Sequence, residues 1–223
     1  MPPGRKNSSK ERDMKRLYYD SSYIKMFTAA VTGCREGKKG LWEVTLDQTA
    51  FFPEGGGQPY DTGTLGEARV KEVHERGEEV IHYTDRPLAV GETVEGAIDW
   101  DRRFDNMQGH SGEHIITGCI HRRFGYDNVG FHMGSEEITI DFNGMITGEE
   151  LDEMEAEANE AIYRNLPVQI LTPTPEELKD MEYRSKKELT GQVRITVIPG
   201  VDVCACCGTH VERTGEVGLI KVL

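Results

Sequence analysis

Residues 105–125 read DNMQGHSGEHIITGCIHRRFG, and this stretch separates two different sequence patterns. Apolar residues recur along it at helical spacing, and Gly125 follows as a stop signal. We therefore predict a helix from about Asp105 to Phe124. Its expected buried face consists of Phe104, Ile116, Cys119, Ile120 and Phe124.

The chain before this helix, from Leu17 to Trp100, has the pattern of short strands separated by turns. Trp42, Val44 and Leu46 alternate with polar residues, and residues 80–83 form a compact strand-like run. No helical period of useful length appears here. Turn-forming glycines recur at close intervals, at Gly63, Gly66, Gly77 and Gly91. This spacing predicts a small barrel or sandwich.

The chain after the helix mixes the two kinds of element. Ile138, Ile140 and Phe142 alternate as in a strand. Thr147 with Glu150 forms a capping box that opens a second helix, which we expect to stop at Pro167. Further strands are predicted at residues 168–172, 193–198 and 217–223. The predicted fold class is α+β, with an N-terminal β-barrel followed by an α+β domain.

Three segments are predicted along the chain. Residues 1–13 are polar, basic and rich in turn formers, so we expect a disordered tail or an expression remnant. Residues 14–100 are expected to form the barrel domain, and residues 101–223 the second domain.

Composition narrows the class of protein. The hydrophobic fraction of 37% is ordinary for a soluble globular chain, and no stretch reaches the roughly 18 apolar residues of a membrane span. No secretory signal is visible, so we expect a cytoplasmic protein without a membrane partner. The net charge of −13 argues against nonspecific binding to nucleic acid, DNA included. Local basic candidates are Arg102, Arg103, Arg122, Arg123, Arg184, Lys186 and Lys187. The oligomeric state stays open.

Two residue pairs have the spacing of metal ligands. His110 and His114 are four apart on the predicted helix, so both imidazoles project from one face. Cys206 and His210 repeat the same step near the end of the chain, with Gly208 giving the backbone room to turn. Nitrogen and sulfur ligands favour zinc over hard cations. We predict one shared Zn²⁺ per chain.

The cysteine ligand is not fixed by spacing alone. The chain has five cysteines, an odd number that makes a poor disulfide framework. Cys204 and Cys207 are alternatives to Cys206, and together they form a C-x-x-C of the kind found in redox pairs and zinc knuckles. Only the distance to His210 favours Cys206.

A glycine-rich segment is the third candidate functional element. Gly55, Gly56, Gly57 and Gln58 follow a Phe-Phe-Pro-Glu run. Consecutive glycines let backbone N–H groups approach a ligand closely, which predicts a substrate-binding loop. The alternative is a wide turn between strands.

These elements resemble those of a known family, the freestanding alanyl-tRNA editing proteins of the AlaX group. The resemblance also extends to the editing domain of alanyl-tRNA synthetase, and it covers the chain from Met14 onward. The segments that carry it are 108–114 (QGHSGEH), 206–211 (CCGTHV), 55–58 (GGGQ) with Asp61 and Gly63, and 214–218 (TGEVG).

The resemblance implies a fold and a site. It implies a translation-factor-like β-barrel, then an α+β editing domain that binds one zinc ion. Its implied ligands are His110, His114, Cys206 and His210.

Several residues are candidates for the chemistry. Glu113 and His132 are candidates for proton transfer; the alternative for Glu113 is a solvated side chain on the helix surface. His132 stands where the synthetase domain typically has Gln. Thr209 or a threonine of the barrel is a candidate for hydrogen-bonding the serine hydroxyl of the substrate.

The implied activity is hydrolysis of a mischarged tRNA that is specific for alanine. A synthetase pocket that fits alanine cannot exclude the smaller glycine, and it rejects the added hydroxyl of serine poorly. A second, hydrolytic site is therefore needed to restore accuracy. The expected substrates are Ser-tRNA(Ala) and Gly-tRNA(Ala). Whether zinc would activate water or orient the substrate stays open at this stage.

Two other functions compete with this one. Residues 110–114 also match H-x-x-E-H, the inverted zinc-peptidase signature, with Glu113 as base and Glu160 or Glu188 as the remaining ligand. That interpretation leaves the Cys206–His210 pair unexplained. A non-catalytic, zinc-stabilised RNA-binding module is the second, although the acidic charge and few aromatic residues disfavour it.

Overall fold

The structure, a computed structural model, describes residues 14–134, 136–185 and 192–223. The predicted tail, residues 1–13, lies outside the described residues. In the described part the strands are β1 Lys15–Arg16, β2 Met26–Glu36, β3 Trp42–Leu46, β4 Gln48–Thr49, β5 Gly63–Leu65, β6 Ala68–Arg76, β7 Glu79–Thr84, β8 Thr93–Ile98, β9 Asn128–Met133, β10 Ile138–Phe142, β11 Gln169–Leu171, β12 Ile195–Ile198 and β13 Asp202–Ala205. The α-helices are α1 Leu17–Asp20, α2 Trp100–Phe124, α3 Gly148–Tyr163 and α4 Pro175–Lys179, and a 3-10 helix spans Thr214–Val217.

Six strands of the first half close into a barrel in the order β2-β3-β7-β6-β5-β8. Every neighbouring pair is antiparallel, and the closure through β2 and β8 removes the sheet edges. Alternate residues point inward, as the burial of β8 shows for Val94, Gly96 and Ile98. Of the barrel and sandwich left open by the sequence, the structure is the barrel. Its core includes Phe27, Val31, Val44, Leu46, Phe51, Leu65, Val70, Val73 and Val80.

The second half packs helices α2 and α3 around a separate hydrophobic core. That core is formed by Ile115, Ile116, Cys119, Ile120, Met154, Ala158, Ala161, Ile162, Ile198 and Val201. Two small antiparallel sheets flank the helices: the β9–β10 hairpin and the sheet β11-β12-β13. The α+β class is thus confirmed.

Both predicted helices and two of the predicted later strands are present, with ends that differ from those predicted. The predicted long helix begins at Trp100 rather than Asp105, and Gly125 ends it in the left-handed conformation, with φ 70°. The capping box of Thr147 and Glu150 is present at the start of α3. This helix ends at Tyr163, before Pro167. The predicted strands at 168–172 and 193–198 are present in shorter form as β11 and β12.

The strand predicted at residues 217–223 is wrong. Thr214–Val217 forms a 3-10 helix, and the chain beyond it joins no sheet among the described residues. The cause lies in the backbone partners of Ile220: its N–H donates to Asn159 Oδ1 at 3.0 Å, and its carbonyl accepts from Asn159 Nδ2 at 2.8 Å. One amide side chain of α3 therefore takes the place of a neighbouring strand.

A buried ion pair joins the barrel to α2. Arg103 and Asp61 are both fully buried and form a charge-assisted pair. The Arg103 guanidinium also donates to the carbonyl oxygens of Ser22, at 2.8 Å, and Ala50, at 2.6 Å. Asp61 in turn accepts from the N–H of Phe52 at 2.6 Å. These bonds fix the start of α2 against the loop that contains the glycine-rich segment.

One further property concerns membranes. Within the described ranges, no helix combines the length and the apolar character needed to span a bilayer.

Candidate metal centre

Helix α2 presents two histidines side by side toward the interior. His110 and His114 are one turn apart, each only 1% exposed, and their ring centroids are 5.4 Å apart. Their burial requires close packing of the helix. Gly118 supplies it, because a Cβ at that position would lie 2.5 Å from the carbonyl oxygen of Val201.

The segment after β13 brings the second pair to the same place. Cys206 Sγ lies 3.4 Å from His110 Nε2 and 3.4 Å from His210 Nε2. The ring of His210 is 4.6 Å from that of His110 and 4.8 Å from that of His114. One ligand atom from each of the four residues lies within 4.8 Å of the others. The structure therefore gathers all four ligands predicted from the sequence.

Each histidine uses its other ring nitrogen to contact a second residue. His110 Nδ1 lies 2.8 Å from Gln58 Oε1, and His114 Nδ1 lies 2.8 Å from Asp202 Oδ2. His210 Nδ1 lies 3.3 Å from the hydroxyl oxygen of Ser111. An amide oxygen and a carboxylate only accept hydrogen bonds, so Nδ1 of His110 and His114 carries the proton. Their Nε2 atoms are left as lone-pair donors toward the cluster.

The geometry and chemistry of this cluster fit a zinc ion. The His114 Nε2 atom is buried and has no hydrogen-bond partner among the described residues, a costly arrangement that a metal would satisfy. Three imidazole nitrogens and one sulfur form a donor set that zinc prefers. The backbone also approaches closely, since a Cβ at Gly208 would lie 2.2 Å from His110 Cε1. We call these four residues the His₃Cys cluster.

Three members of the cluster have shifted pKa values. Burial opposes ionisation of Cys206, but the neighbouring imidazoles of His110 and His210 hold the pKa of its thiol well below the usual value. Burial lowers the pKa of His210 to about 4. Both directions favour the states in which these residues bind a metal. Burial also opposes the charge of His114, but Asp202 and Cys206 raise its pKa well above the usual value.

The two alternative cysteines lie outside the cluster. Cys207 is exposed, and Cys204 is buried with its thiol 3.6 Å from the carbonyl oxygen of Ala205. Cys204 also comes within ligand distance of His114 and Asp202, which makes a second group of metal-binding type. Asp202, however, receives a bidentate pair from Arg184 at 2.9 Å for each bond, besides its bond to His114. That carboxylate is already occupied.

Glu113 lies beside the His₃Cys cluster. Its side chain is buried, and its Oε2 atom is 3.9 Å from His114 Nε2. The other oxygen, Oε1, accepts a hydrogen bond from Thr117 Oγ1 at 2.9 Å and one from Asn128 Nδ2 at 2.6 Å. Because both donors act on a single oxygen, the carboxylate has a fixed orientation.

The glycine-rich segment supports the cluster through Gln58. Gln58 is fully buried, and besides accepting from His110 it donates to Thr209 Oγ1 at 2.7 Å and accepts from the Thr209 N–H at 3.1 Å. Gly56 and Gly57 are exposed beside it, with φ of 61° and 85°, and Gly55 closes a tight turn with Gln58. Contact of these five residues with substrate stays a prediction.

Phe131 and His132 are neighbours on β9, and they face opposite sides of the strand. Phe131 lies against His110, with ring centroids 5.4 Å apart, and a Cβ at Gly57 would lie 2.3 Å from Phe131 Cδ1. Consecutive strand residues face opposite sides, so His132, which is exposed, points away from the side on which Phe131 meets His110. The structure thus brings Glu113 to the cluster, whereas a catalytic role for His132 stays a prediction.

A groove of about 920 Å³ borders Glu113. One wall is α2, at Gln108, Gly109 and Gly112, and the others are the β9–β10 hairpin and the segment 217–223. This volume is within the range of sites that hold small molecules. Glu113 is therefore placed between the groove and the His₃Cys cluster.

The residues that hydrogen-bond to the cluster histidines and to Glu113 were not predicted from the sequence. Asp202, Ser111 and Asn128 have no motif spacing of their own, and their contacts arise only when distant segments meet. Asp202 carried one usable signal, because it shares a face of β13 with Cys204 and stands as an isolated acid in an otherwise apolar strand. Two other candidates from the sequence, Lys186 and Lys187, lie outside the described residues.

Comparison with known proteins gives two family matches. The family described as tRNA synthetases class II (A) matches residues 7–102, and the Threonyl and Alanyl tRNA synthetase second additional domain matches residues 193–223. The second match contains Cys206 and His210. These two matches relate the barrel and the end of the chain to domains found in aminoacyl-tRNA synthetases.

Individual relatives are similar over nearly the whole chain. The alanyl-tRNA editing protein Aarsd1 of Bos taurus is 35% identical over 218 residues, which cover 91% of this chain and 49% of that protein. The alanyl-tRNA editing protein AlaX-L of Pyrococcus horikoshii is 35% identical over 219 residues, 94% of this chain and 54% of that protein. The alanine–tRNA ligase of Ignicoccus hospitalis is 34% identical over 222 residues, 94% of this chain and 24% of the ligase.

The chain belongs to the alanyl-tRNA editing protein family. It spans about half the length of the editing proteins that it matches.

Proposed function

We propose that this protein hydrolyses the ester of mischarged tRNA(Ala), releasing serine or glycine, in a zinc-dependent reaction. The observation that carries the proposal is the His₃Cys cluster with the Glu113 carboxylate beside it, 3.9 Å from His114 Nε2. The similarity to proteins named alanyl-tRNA editing proteins supports the substrate class.

His110, His114, Cys206 and His210 would hold one zinc ion. When bound, zinc supplies Lewis acidity for ester hydrolysis. The protein's own contribution at these ligands is orientation: the contacts to Gln58 and Asp202 fix the tautomers of two histidines, and the Ser111 hydroxyl lies beside the third. Four protein ligands fill a tetrahedral shell, so direct Lewis-acid action on the ester would require a fifth coordination position.

Glu113 would manage the protons of the reaction. The oxygen of water adds to the ester carbonyl carbon while the Glu113 carboxylate takes the proton of that water. The bond between the carbonyl carbon and the ribose oxygen then breaks, and the proton passes from Glu113 to that oxygen. The products are the free amino acid and the tRNA with its terminal hydroxyl restored.

The two halves of the chain would have separate tasks in this function. Residues 101–223 would form the editing domain, and residues 14–100 a translation-factor-like barrel domain that supports it. Two contacts support the role given to the barrel, because both tie its loop to α2. They are the ion pair of Asp61 with Arg103 and the hydrogen bond from His110 to Gln58.

The substrate would reach Glu113 from the adjacent groove. The exposed loop at Gly56 and Gly57 would offer backbone N–H groups to the terminal nucleotide, and Gly57 lies close to Phe131. Sparing Ala-tRNA(Ala) requires a group that hydrogen-bonds the serine hydroxyl or, for release of glycine alone, a pocket too small for the alanine methyl group.

A zinc peptidase has weaker support. The inverted signature needs a glutamate as the remaining ligand, and Glu160 is exposed on α3, outside the cluster. The other candidate, Glu188, lies outside the described residues. In the described part of the chain, the third and fourth members of the cluster come from Cys206 and His210.

The test is a deacylation assay with purified protein and Ser-tRNA(Ala) that carries a labelled amino acid. We expect release of serine, arrest of that release by a zinc chelator, and recovery when zinc is restored. The Cys206→Ser variant should lose both zinc and activity, whereas Cys204→Ser should keep zinc. Full retention of the ester by zinc-loaded wild-type protein would reject the proposal.

A further inference from the structure

We infer that Asn128 and Thr117 are positioning residues that hold the Glu113 carboxylate for proton transfer beside the metal ligands. The inference rests on the proposed function and names two residues that act on substrate only through a third. Both residues lie outside the two predicted ligand pairs. Asn128 belongs to β9, and Thr117 follows His114 by about one turn of α2.

The two contacts come from different elements and meet on one atom. Asn128 Nδ2 donates to Glu113 Oε1 at 2.6 Å from the strand, and Thr117 Oγ1 donates to the same oxygen at 2.9 Å from the helix. An oxygen that accepts two hydrogen bonds cannot rotate without losing both. This leaves Oε2 as the oxygen on the side of His114.

Burial makes these contacts costly to lose. Asn128 is 5% exposed, Glu113 is 2% exposed and Thr117 is fully buried. Water is therefore poorly placed to replace either donor, and a buried carboxylate that loses a hydrogen bond is strongly destabilised.

The position of Glu113 explains why orientation matters. The residue borders the groove and lies next to His114, so its carboxylate has to reach substrate water from a fixed side chain. A general base works only within hydrogen-bond reach of the proton that it removes, and small displacements lower the rate steeply. A loose Glu113 would keep its charge but lose that reach.

A double-mutant cycle tests the inference, with kcat and KM measured for Asn128→Ala, Glu113→Ala and the double variant. We expect Asn128→Ala to lower kcat at least tenfold with KM within twofold, and to have no further effect in the Glu113→Ala background. A merely structural Asn128 would lower activity by the same factor in both backgrounds, which would overturn the inference.

Two substitutions at Thr117 test whether its hydroxyl is the group that matters. Thr117→Ser keeps the donating hydroxyl and should keep kcat within twofold, whereas Thr117→Val removes the donor at nearly constant volume and should lower kcat. Bound zinc should stay at one per chain in both variants, and their unfolding midpoints separate loss of folding from loss of positioning. Equal kcat in Thr117→Val and Thr117→Ser would contradict the role of Thr117.

A spectroscopic readout does not depend on activity. The side-chain amide protons of Asn128, assigned by NMR in the zinc-loaded protein, should shift upfield in Glu113→Ala, because the charged acceptor is gone. An unchanged amide resonance would reject the contact itself. If wild-type protein with full zinc hydrolyses no mischarged tRNA, the proposed function fails, while this resonance still reports on the positioning contact.

Discussion

His110 Nδ1 donates a hydrogen bond to Gln58 Oε1 at 2.8 Å, so a side chain from the barrel's glycine-rich loop determines which nitrogen of a candidate zinc ligand carries the proton. Gln58 is held in turn by both polar groups of Thr209, at 2.7 and 3.1 Å. The loop and the cluster are therefore parts of one hydrogen-bonded unit. This arrangement gives the glycine-rich motif a physical task that its sequence alone does not reveal.

The first prediction concerns zinc affinity. Gln58→Ala removes the acceptor that fixes the His110 tautomer, and we expect zinc to bind about 10- to 100-fold more weakly. Competition with a colorimetric zinc chelator measures this change. Gln48→Ala is the matched control, because Gln48 bonds to the Thr28 carbonyl of the barrel and not to the cluster. Equal affinities for the two variants would contradict the role of Gln58.

A second prediction concerns the buried ion pair. Asp61→Asn leaves the fully buried Arg103 guanidinium without its counter-charge, and we expect the free energy of unfolding to fall by about 3–5 kcal/mol. Glu153→Gln makes the same chemical change in an exposed pair with Arg123 and should cost under about 1 kcal/mol. Urea unfolding of both variants measures the difference. Similar losses would show that the Arg103 pair does not fix α2 to the barrel.

A third prediction separates two neighbouring glycines. Both Gly56 and Gly57 have positive φ, so an alanine at either position pays about 1–2 kcal/mol for the left-handed backbone. Gly57→Ala adds a steric conflict, because its Cβ would lie 2.3 Å from Phe131 Cδ1, whereas a Cβ at Gly56 would meet no atom of the described residues within 4 Å. We expect Gly57→Ala to unfold at a clearly lower urea concentration than Gly56→Ala, and identical midpoints would contradict the close approach.

The fourth prediction is a pH dependence that originates in the barrel. His82 is fully buried, with Nδ1 donating to the Val44 carbonyl at 3.2 Å and Nε2 accepting from the Thr49 hydroxyl at 2.8 Å. Burial lowers the pKa of His82 from 6.5 to about 4. Between these two pH values the unfolded chain binds the proton and the folded chain does not, so stability falls as the pH falls through this window.

The size of that effect follows from the same shift. The lowered pKa of His82 reduces the free energy of unfolding by about 3 kcal/mol once the pH is below the folded pKa. Urea unfolding at several pH values, with chelator present throughout, should give a steeper acid loss for the wild type than for His82→Gln. Parallel curves for the two proteins would show that His82 contributes no such linkage.

Local patterns in the sequence were sufficient for much of the fold. The helix that carries His110 and the capping box of α3 depend on neighbouring residues, and the structure contains both. Residues 217–223 look like a strand by composition, but the backbone of Ile220 bonds to the Asn159 side chain of α3. That outcome depends on a residue about 60 positions away, which no local pattern contains.

The candidate site divides in the same way. Spacing of four residues within α2 and within the final motif predicted both ligand pairs, because such pairs share a face or a turn. The partners of those ligands could not be predicted, because Asp202 reaches His114 and Gln58 reaches His110 across separate elements. The four-residue distance to His210 already favoured Cys206 over Cys204 and Cys207, and in the folded chain Cys206 is the cysteine that joins the three histidines.

The proposed editing activity is tested by the ratio of deacylation rates for Ser-tRNA(Ala) and Ala-tRNA(Ala) with zinc-loaded protein, measured beside Gly-tRNA(Ala). We expect rapid release of serine or glycine, Ala-tRNA(Ala) spared by at least tenfold, and loss of all release on chelation. Hydrolysis of none of the three esters by protein with full zinc, or equal hydrolysis of all three, would contradict it.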